Sequence, residues 1–211
     1  MAKPRTVAPR EADASTREKI LGAALTVFAE KGFDGARTRE IAERAEANLG
    51  LIKYYFDTKE KLWKAAVDRA FDELQQELAE LDYQTPDDDE RAQLERLVHR
   101  FVRFVARRPE FVRLMNDEGK RDGPRMRWLV EQHLRPAFET LRPLLARVQR
   151  GGGGPPISPV SLHYMLMGAA GLVFSQAPEC ARSTGVDPTD EAFVEAHAQA
   201  VVRFMMGAVA Q

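Results

Sequence analysis

Lys53, Tyr54 and Tyr55 stand in a row inside Leu49–Phe56, a short stretch that opens on Asn48 and carries Gly50 near its start. An ammonium at Lys53 can neutralise a phosphate or reach the edge of a guanine. The two phenol hydroxyls can donate to phosphate oxygens, and a glycine lets a nucleic-acid backbone or base edge come close. Lys59 follows Phe56 by three residues, at the opening of a further helix whose free N–H groups make an anion site beside it. Thr38 and Arg39 begin the preceding helix. The expected DNA contacts are therefore Thr38, Arg39, Asn48, Leu49, Gly50, Leu51, Lys53, Tyr54, Tyr55 and Lys59.

Other chemistry finds little support. His99, His133, His163 and His197 never fall three or four residues apart, and Cys180, the only cysteine, is near none of them. No metal site is expected from that spacing. No G-x-S-x-G, Rossmann fingerprint or P-loop occurs, and the four glycines of Gly151–Pro156 run into Pro-Pro instead of a lysine and a helix. Neither an enzyme nor a bound cofactor is expected. A second candidate set consists of methionine and aromatic residues: Phe101, Phe104, Phe111, Met115, Trp128 and Met165, with His133 and Arg103 as polar anchors. These fit ordinary core, or a pocket able to adapt to an apolar small molecule.

The elements that must position Lys53 and its neighbours read as a helix-turn-helix. Thr38 is suited to cap a helix carrying Ile41, Ala42 and Ala45 at helical spacing, with Glu40 at the favourable end of its dipole. Asn48 is suited to cap the next, which buries Ile52, Tyr55 and Phe56, and about three residues separate the two. A helix ahead of them opens on the capping box Ser15-Thr16-Arg17-Glu18, buries Ile20, Leu21, Ala24, Leu25 and Phe28, and ends at Gly32.

These residues resemble the DNA-binding segment of the TetR family of one-component transcriptional repressors, whose pattern runs T-x-x-I-A-x-x-A-x-x-S-x-G-x-L-Y-x-x-F-x-x-K-x-x-L. Thr38, Ile41, Ala42, Ala45, Gly50, Phe56, Lys59 and Leu62 match it, and Asn48 and Ile52 are conservative variants. Glu46 stands where the family has a turn glycine, at a cost of about 1 kcal/mol if the backbone there is left-handed. Lys53 stands where the family has tyrosine. The resemblance covers roughly residues 14–80. It implies an all-α protein of about nine helices: a helix-turn-helix domain over 14–62, a bridging helix over 59–81, and an effector-binding and dimerisation domain over 83–211.

The rest of the chain fits that plan. The bridging helix has a narrow seam of Val67, Phe71, Leu74, Leu78 and Leu81, and Tyr83–Asp89 breaks the pattern. Residues 90–106 and 110–118 and a helix from Pro124, kinked at Pro136 and Pro143, follow. The helix at about 158–177 is apolar almost all round and holds Gly168, Ala169 and Gly171. Such a helix needs cover on every side. A second copy would supply it, through a two-fold interface made by helices 158–177 and 189–209.

Length and charge set the bounds. With 211 residues, 31 Lys and Arg and 32 Asp and Glu, the whole chain carries no net nucleic-acid signal. The first 64 residues hold 13 basic against 10 acidic side chains. Residues 1–13 read as a flexible arm, in which Lys3, Arg5 and Arg10 could brush phosphates. A single cysteine, an opening with no apolar signal region, and no apolar run long enough for a bilayer lead to the expectation of a cytoplasmic protein. The expected function is a ligand-responsive repressor. It would bind double-stranded DNA at a near-palindromic operator as a homodimer and be released by a small apolar effector. The alternative is an all-helical small-molecule carrier or enzyme in which the helix-turn-helix is structural only. A third reading is an interaction module presenting its apolar 158–177 helix to a different protein.

Overall fold

The computed structural model describes residues 9–79, 89–149 and 157–210. The first part of the expected arm (1–8), most of the Tyr83–Asp89 loop and the Gly151–Pro156 linker lie outside the described residues. The regular elements among the described residues are all helices: α1 (Pro9–Gly35), α2 (Thr38–Arg44), α3 (Leu49–Phe56), α4 (Lys59–Ala79), α5 (Glu90–Arg107), α6 (Pro109–Glu118), α7 (Pro124–Leu129), α8 (Arg135–Gln149), α9 (Pro159–Ser175), α10 (Ala177–Thr184) and α11 (Glu191–Ala210). They divide into two compact units, the boundary falling between Asp72 and Glu73 inside α4.

In the first unit the stripe on α1 is buried as its spacing requires: Ile20, Leu21, Ala24, Leu25 and Phe28 meet Ile41, Ala42 and Ala45 of α2, Ile52 and Phe56 of α3, and Leu62, Trp63, Ala66 and Val67 of α4 in one core. Two details differ from expectation. The helix starts at Pro9, so Ser15 lies inside it and caps nothing, and residues 9–13 belong to α1 and not to an arm. Arg10, Glu11 and Ala12 are readily helical, which carries α1 through the segment ahead of Ser15 at little cost. Thr38 is the first helical residue of α2; the cap position is Arg37, in extended backbone with no side-chain hydrogen bond. Gly32 breaks α1 at φ 66°, as its type suggested, and the chain winds one further turn to Gly35.

The second unit gathers α5 along α11 and α9, with α6 on α9 and α8 against α5. Its core is Leu94, Val98, Phe101, Val102, Phe104, Val105, Leu114, Leu129, Leu145, Leu162, Leu166, Phe174, Ala198, Val201 and Met205. The kink expected at Pro136 takes the form of a π turn, Val130–Leu134, between α7 and α8. Widening the helix there lets the proline ring clear the carbonyl one turn back. Nine helices are legible in the sequence. Eleven segments result because this turn splits one of them, and because Pro178, which looked like a terminator, occupies the first turn of α10, where proline is tolerated.

The all-round apolarity of α9 resolves into two faces. Leu162, Leu166, Ala170, Gly171 and Phe174 are buried within the chain, and a Cβ on Gly171 would lie 3.0 Å from Val112 of α6. The opposite face leaves Val160, Tyr164, Met165 and Leu172 exposed, as is Phe204 on α11. Between them Gly168 is open, with nothing within 4 Å of where its Cβ would be.

Candidate functional site

The turn between α2 and α3 is built by backbone hydrogen bonds that close a helix end: Ala47 N–H reaches the Ala42 carbonyl at 2.9 Å and Glu46 N–H the Glu43 carbonyl at 3.1 Å. That geometry sets Glu46 at φ 52°, so the residue standing in place of the turn glycine is left-handed. Asn48 then caps α3 as expected, its side-chain oxygen accepting from Gly50 N–H at 2.8 Å. A Cβ on Gly50 would meet that same oxygen at 3.2 Å. Arg44 fixes α2 to α1 by two bonds to Glu30, at 2.9 and 2.6 Å, and Lys31 of α1 holds Glu40 of α2 at 2.7 Å; within α2 Arg44 also bonds Glu40 at 3.0 Å. The Arg44 and Lys31 cations hold the Glu30 and Glu40 carboxyls below their usual range; for Glu30 the Arg44 hydrogen bond dominates, for Glu40 the Lys31 bond.

On this frame α3 buries Ile52 and Phe56 and turns Leu49, Gly50, Lys53 and Tyr54 outward, with Tyr54 76% exposed. Leu51 and Tyr55 are half-buried at its flanks, and Tyr55 makes edge contacts with Tyr54 and Phe56 at ring distances of 5.1 and 6.0 Å. Thr38 is half-buried at the start of α2, and Arg39 is exposed beside it. Lys59 is half-buried at the start of α4. Its ammonium donates to the Asp34 carbonyl at 3.3 Å and lies 4.7 Å from the Phe33 ring centroid. Lys61 was not singled out in the sequence. It joins Lys53 on either side of Asp57, at 3.2 and 3.1 Å.

The aromatic set of the second unit is only partly brought together. Phe101, Phe104 and Phe111 are buried, the last two edge to face at 5.5 Å. Trp128 and His133, both half-buried, meet edge to face at 5.3 Å across the π turn, and Met115 is half-buried on α6. Met165 does not belong with them: it is 44% exposed on the outer face of α9, because α9 turns its other face to the core. Arg103, expected as a polar anchor, is engaged by Glu191 at 2.7 Å and Glu195 at 3.1 Å. Glu195 also accepts from His99 at 3.0 Å and from Gln199, and these contacts, led by His99, hold its carboxyl down to about 2. An open groove of about 460 Å³ lies beside this cluster, lined by Glu95, Arg96, His99, Arg100, Gln199, Val202 and Arg203. Its charged lining is unlike the expected apolar pocket. It arises from α5 lying against α11, elements about a hundred residues apart, and no local motif announces it.

Among the described residues no group of His, Cys, Asp and Glu could hold a metal ion, and no helix is long and apolar enough to cross a membrane.

Comparison with known proteins bears on both units. Residues 20–66 match the family described as bacterial regulatory proteins, tetR family, and residues 91–205 match the tetracyclin repressor-like C-terminal domain. The HTH-type transcriptional repressor NicS of Pseudomonas putida is 33% identical over 141 residues, 65% of each chain, so the match spans a little under two thirds of that relative's length. The HTH-type transcriptional regulator RutR of Escherichia coli is 27% identical over 203 residues, 96% of this chain and 94% of its own. Among solved structures, a Clostridium perfringens putative fatty acid metabolism regulator aligns with TM-score 0.71 and 17% identity, covering 90% of this chain and 97% of that one. The ketosteroid transcriptional regulator KstR2 of Mycobacterium tuberculosis aligns with TM-score 0.71 and 17% identity over 98% and 97%. At these identities the structural matches establish the fold alone.

Proposed function

The chain belongs to the TetR family of transcriptional regulators, and from that premise we propose that it is a homodimeric repressor whose α3 helix enters the major groove of a near-palindromic operator. The observation that carries this reading is the outer face of α3. Leu49, Gly50, Lys53 and Tyr54 point away from the protein on a helix capped by Asn48 and locked from behind by Ile52 and Phe56. Such a face offers one cation, one phenol and a bare stretch of backbone on a rigid support, which suits phosphate contacts and base-edge contacts together. Thr38, Arg39, Asn48, Leu51, Tyr55 and Lys59 flank it and complete the proposed contact set. Residues 14–62 would form the DNA-binding domain and 83–211 the effector and dimer domain, in a protein working in the cytoplasm.

The exposed apolar face of α9, with Phe204 of α11, supports assembly of two copies. Tyr164, Met165 and Leu172 surround Gly168, where helices could approach closely, and a patch of this kind on one chain fits its two-fold mate. A two-fold would set the two α3 helices about 34 Å or somewhat more apart, one helical turn of DNA. A small apolar effector lodged among Phe101, Phe104, Phe111, Met115, Trp128 and His133 would favour a dimer with a different spacing. Effector and operator would then weaken each other's binding by the same factor.

The test is a DNA-shift titration using the duplex just upstream of the protein's own coding region, at about 50 mM and about 200 mM salt. Binding should fall steeply with salt. A purified chain that ignores DNA at the lower salt, or that sediments as a monomer at working concentration, refutes the proposal.

A further inference from the structure

Asp57 is the residue of the α3 face that least resembles a DNA contact. It follows Phe56 directly and has φ 64° and ψ −52°. Thr58 N–H closes back on the Phe56 carbonyl at 2.6 Å, which makes a three-residue turn of the rarer, strained hand. A residue bearing a side chain is disfavoured at positive φ, and glycine would take that conformation freely. The acid that stands there is not idle. One carboxylate oxygen takes the Lys53 ammonium at 3.1 Å and the other takes Lys61 at 3.2 Å, from positions four residues before and four residues after. All three side chains are more than half exposed. The carboxyl lies below its ordinary range, with the Lys53 hydrogen bond the largest cause and Lys61 next, so it is ionised at neutral pH. A strained backbone that persists at a candidate binding surface is a pointer to function.

We propose that Asp57 is an internal competitor for the DNA backbone: its carboxylate occupies Lys53 and Lys61 in the free protein and must surrender both when phosphates take its place. The inference rests on the reading of α3 as the DNA-facing helix. Three consequences follow from the geometry. Both lysines are held over the turn and not left free in solvent, so their direction is set before DNA arrives. Binding then breaks two ion pairs in each protomer and leaves an uncompensated carboxylate facing phosphates. That penalty is the same for every sequence, because it involves no base edge. Asp57 therefore lowers affinity for DNA in general, and the operator must overcome it through contacts that only its own bases supply. Two exposed pairs at this spacing, released together, amount to about a two- to fivefold change in affinity per protomer.

The experiment compares the full chain with Asp57→Asn, Asp57→Gly and, as a charge control, Asp72→Asn, an exposed acid about 22 Å further along the same stretch of chain at the helical rise of α4. Binding to a short duplex of unrelated sequence is titrated at about 50 mM and about 200 mM salt. Asp57→Asn and Asp57→Gly are expected to bind about two- to fivefold more tightly per protomer at the lower salt, with a steeper salt dependence, and Asp72→Asn to match wild type. Glycine also relieves the turn, so a fold defect in the asparagine variant does not obscure the result. If wild type binds duplex and neither Asp57 variant binds more tightly, the competitor is refuted while the DNA-facing reading stands. An equal gain in Asp72→Asn also refutes it, since net charge alone would then suffice. If wild type binds no duplex at the lower salt, the reading of α3 fails and this inference fails with it.

Discussion

Replacing Glu46 with glycine should make the protein more stable, even though it deletes a side chain and fills nothing. Glu46 holds φ 52° because the two hydrogen bonds that finish α2, Ala47 N–H to Ala42 and Glu46 N–H to Glu43, close only through a left-handed residue. A side chain in that region costs roughly 1–2 kcal/mol through the approach of Cβ to the following carbonyl. Glycine forfeits part of this gain, about 0.4–1 kcal/mol, through its greater freedom in the unfolded chain. The net expectation is a stabilisation of about 1 kcal/mol. In a domain of roughly 60–100 residues that is a rise in Tm of about 4–8 °C, and in a cooperative unit of roughly 150–250 residues about 2–4 °C. Thermal unfolding followed by circular dichroism reads the difference, and its size also reports whether the first unit melts by itself. Glu46→Ala is the control: it removes the carboxylate but keeps a Cβ, so its Tm should stay near wild type. A glycine variant no more stable than wild type, or an alanine variant that gains as much, would show that the backbone argument is wrong.

Lys53→Ala should weaken operator binding and lower the salt slope by about one per protomer, the mark of a lost phosphate contact. Arg113→Ala, which removes only a bond to the Ser175 carbonyl at the end of α9, should bind DNA like wild type; equal loss in both would mean that Lys53 acts through the fold. Leu172→Arg puts a charge on the exposed α9 face and should shift the sedimenting species to a monomer with α-helical content unchanged. Glu195 has a folded pKa of about 2, below its unfolded value, so its contribution to stability is complete above about pH 4.5 and is lost as pH falls toward 2. Glu195→Gln should therefore flatten the fall of Tm over that acid range, and a wild-type-like acid profile in the variant would contradict the assignment.

How much of this was legible beforehand depends on how local the cause was. Asn48 was readable as a cap because the hydrogen bond it makes, to Gly50 N–H, spans two residues. The stripe Ile20, Leu21, Ala24, Leu25 and Phe28 was readable because helical spacing fixes which side chains share a face. Thr38 and Ser15 misled for the complementary reason. A good capping residue does not mark a helix start when the residues before it are also content to be helical, or when the chain enters one residue sooner. Pro178 gave the same signal whether it closed α9 or opened α10, and only the short break at Gln176 decides. The strained turn at Asp57 had no sequence signature at all. The paired lysines become visible only once the turn has brought Lys53 and Lys61 to either side of Asp57. The grouping of Met165 with the interior aromatics failed because an all-apolar helix offers no periodicity to say which side faces in.

In the homodimer proposed above, Gly168 would set the needs of the single chain against those of the assembly. In the middle of a helix, with empty space where a methyl would go, it makes one protomer weaker than alanine would, by roughly 0.5–1 kcal/mol. An alanine there should toughen each subunit against heat while wedging its twin away, so that melting point and molecular mass in solution move in opposite senses. In the proposed dimer, what the glycine gives up in one chain it would return as room for the other.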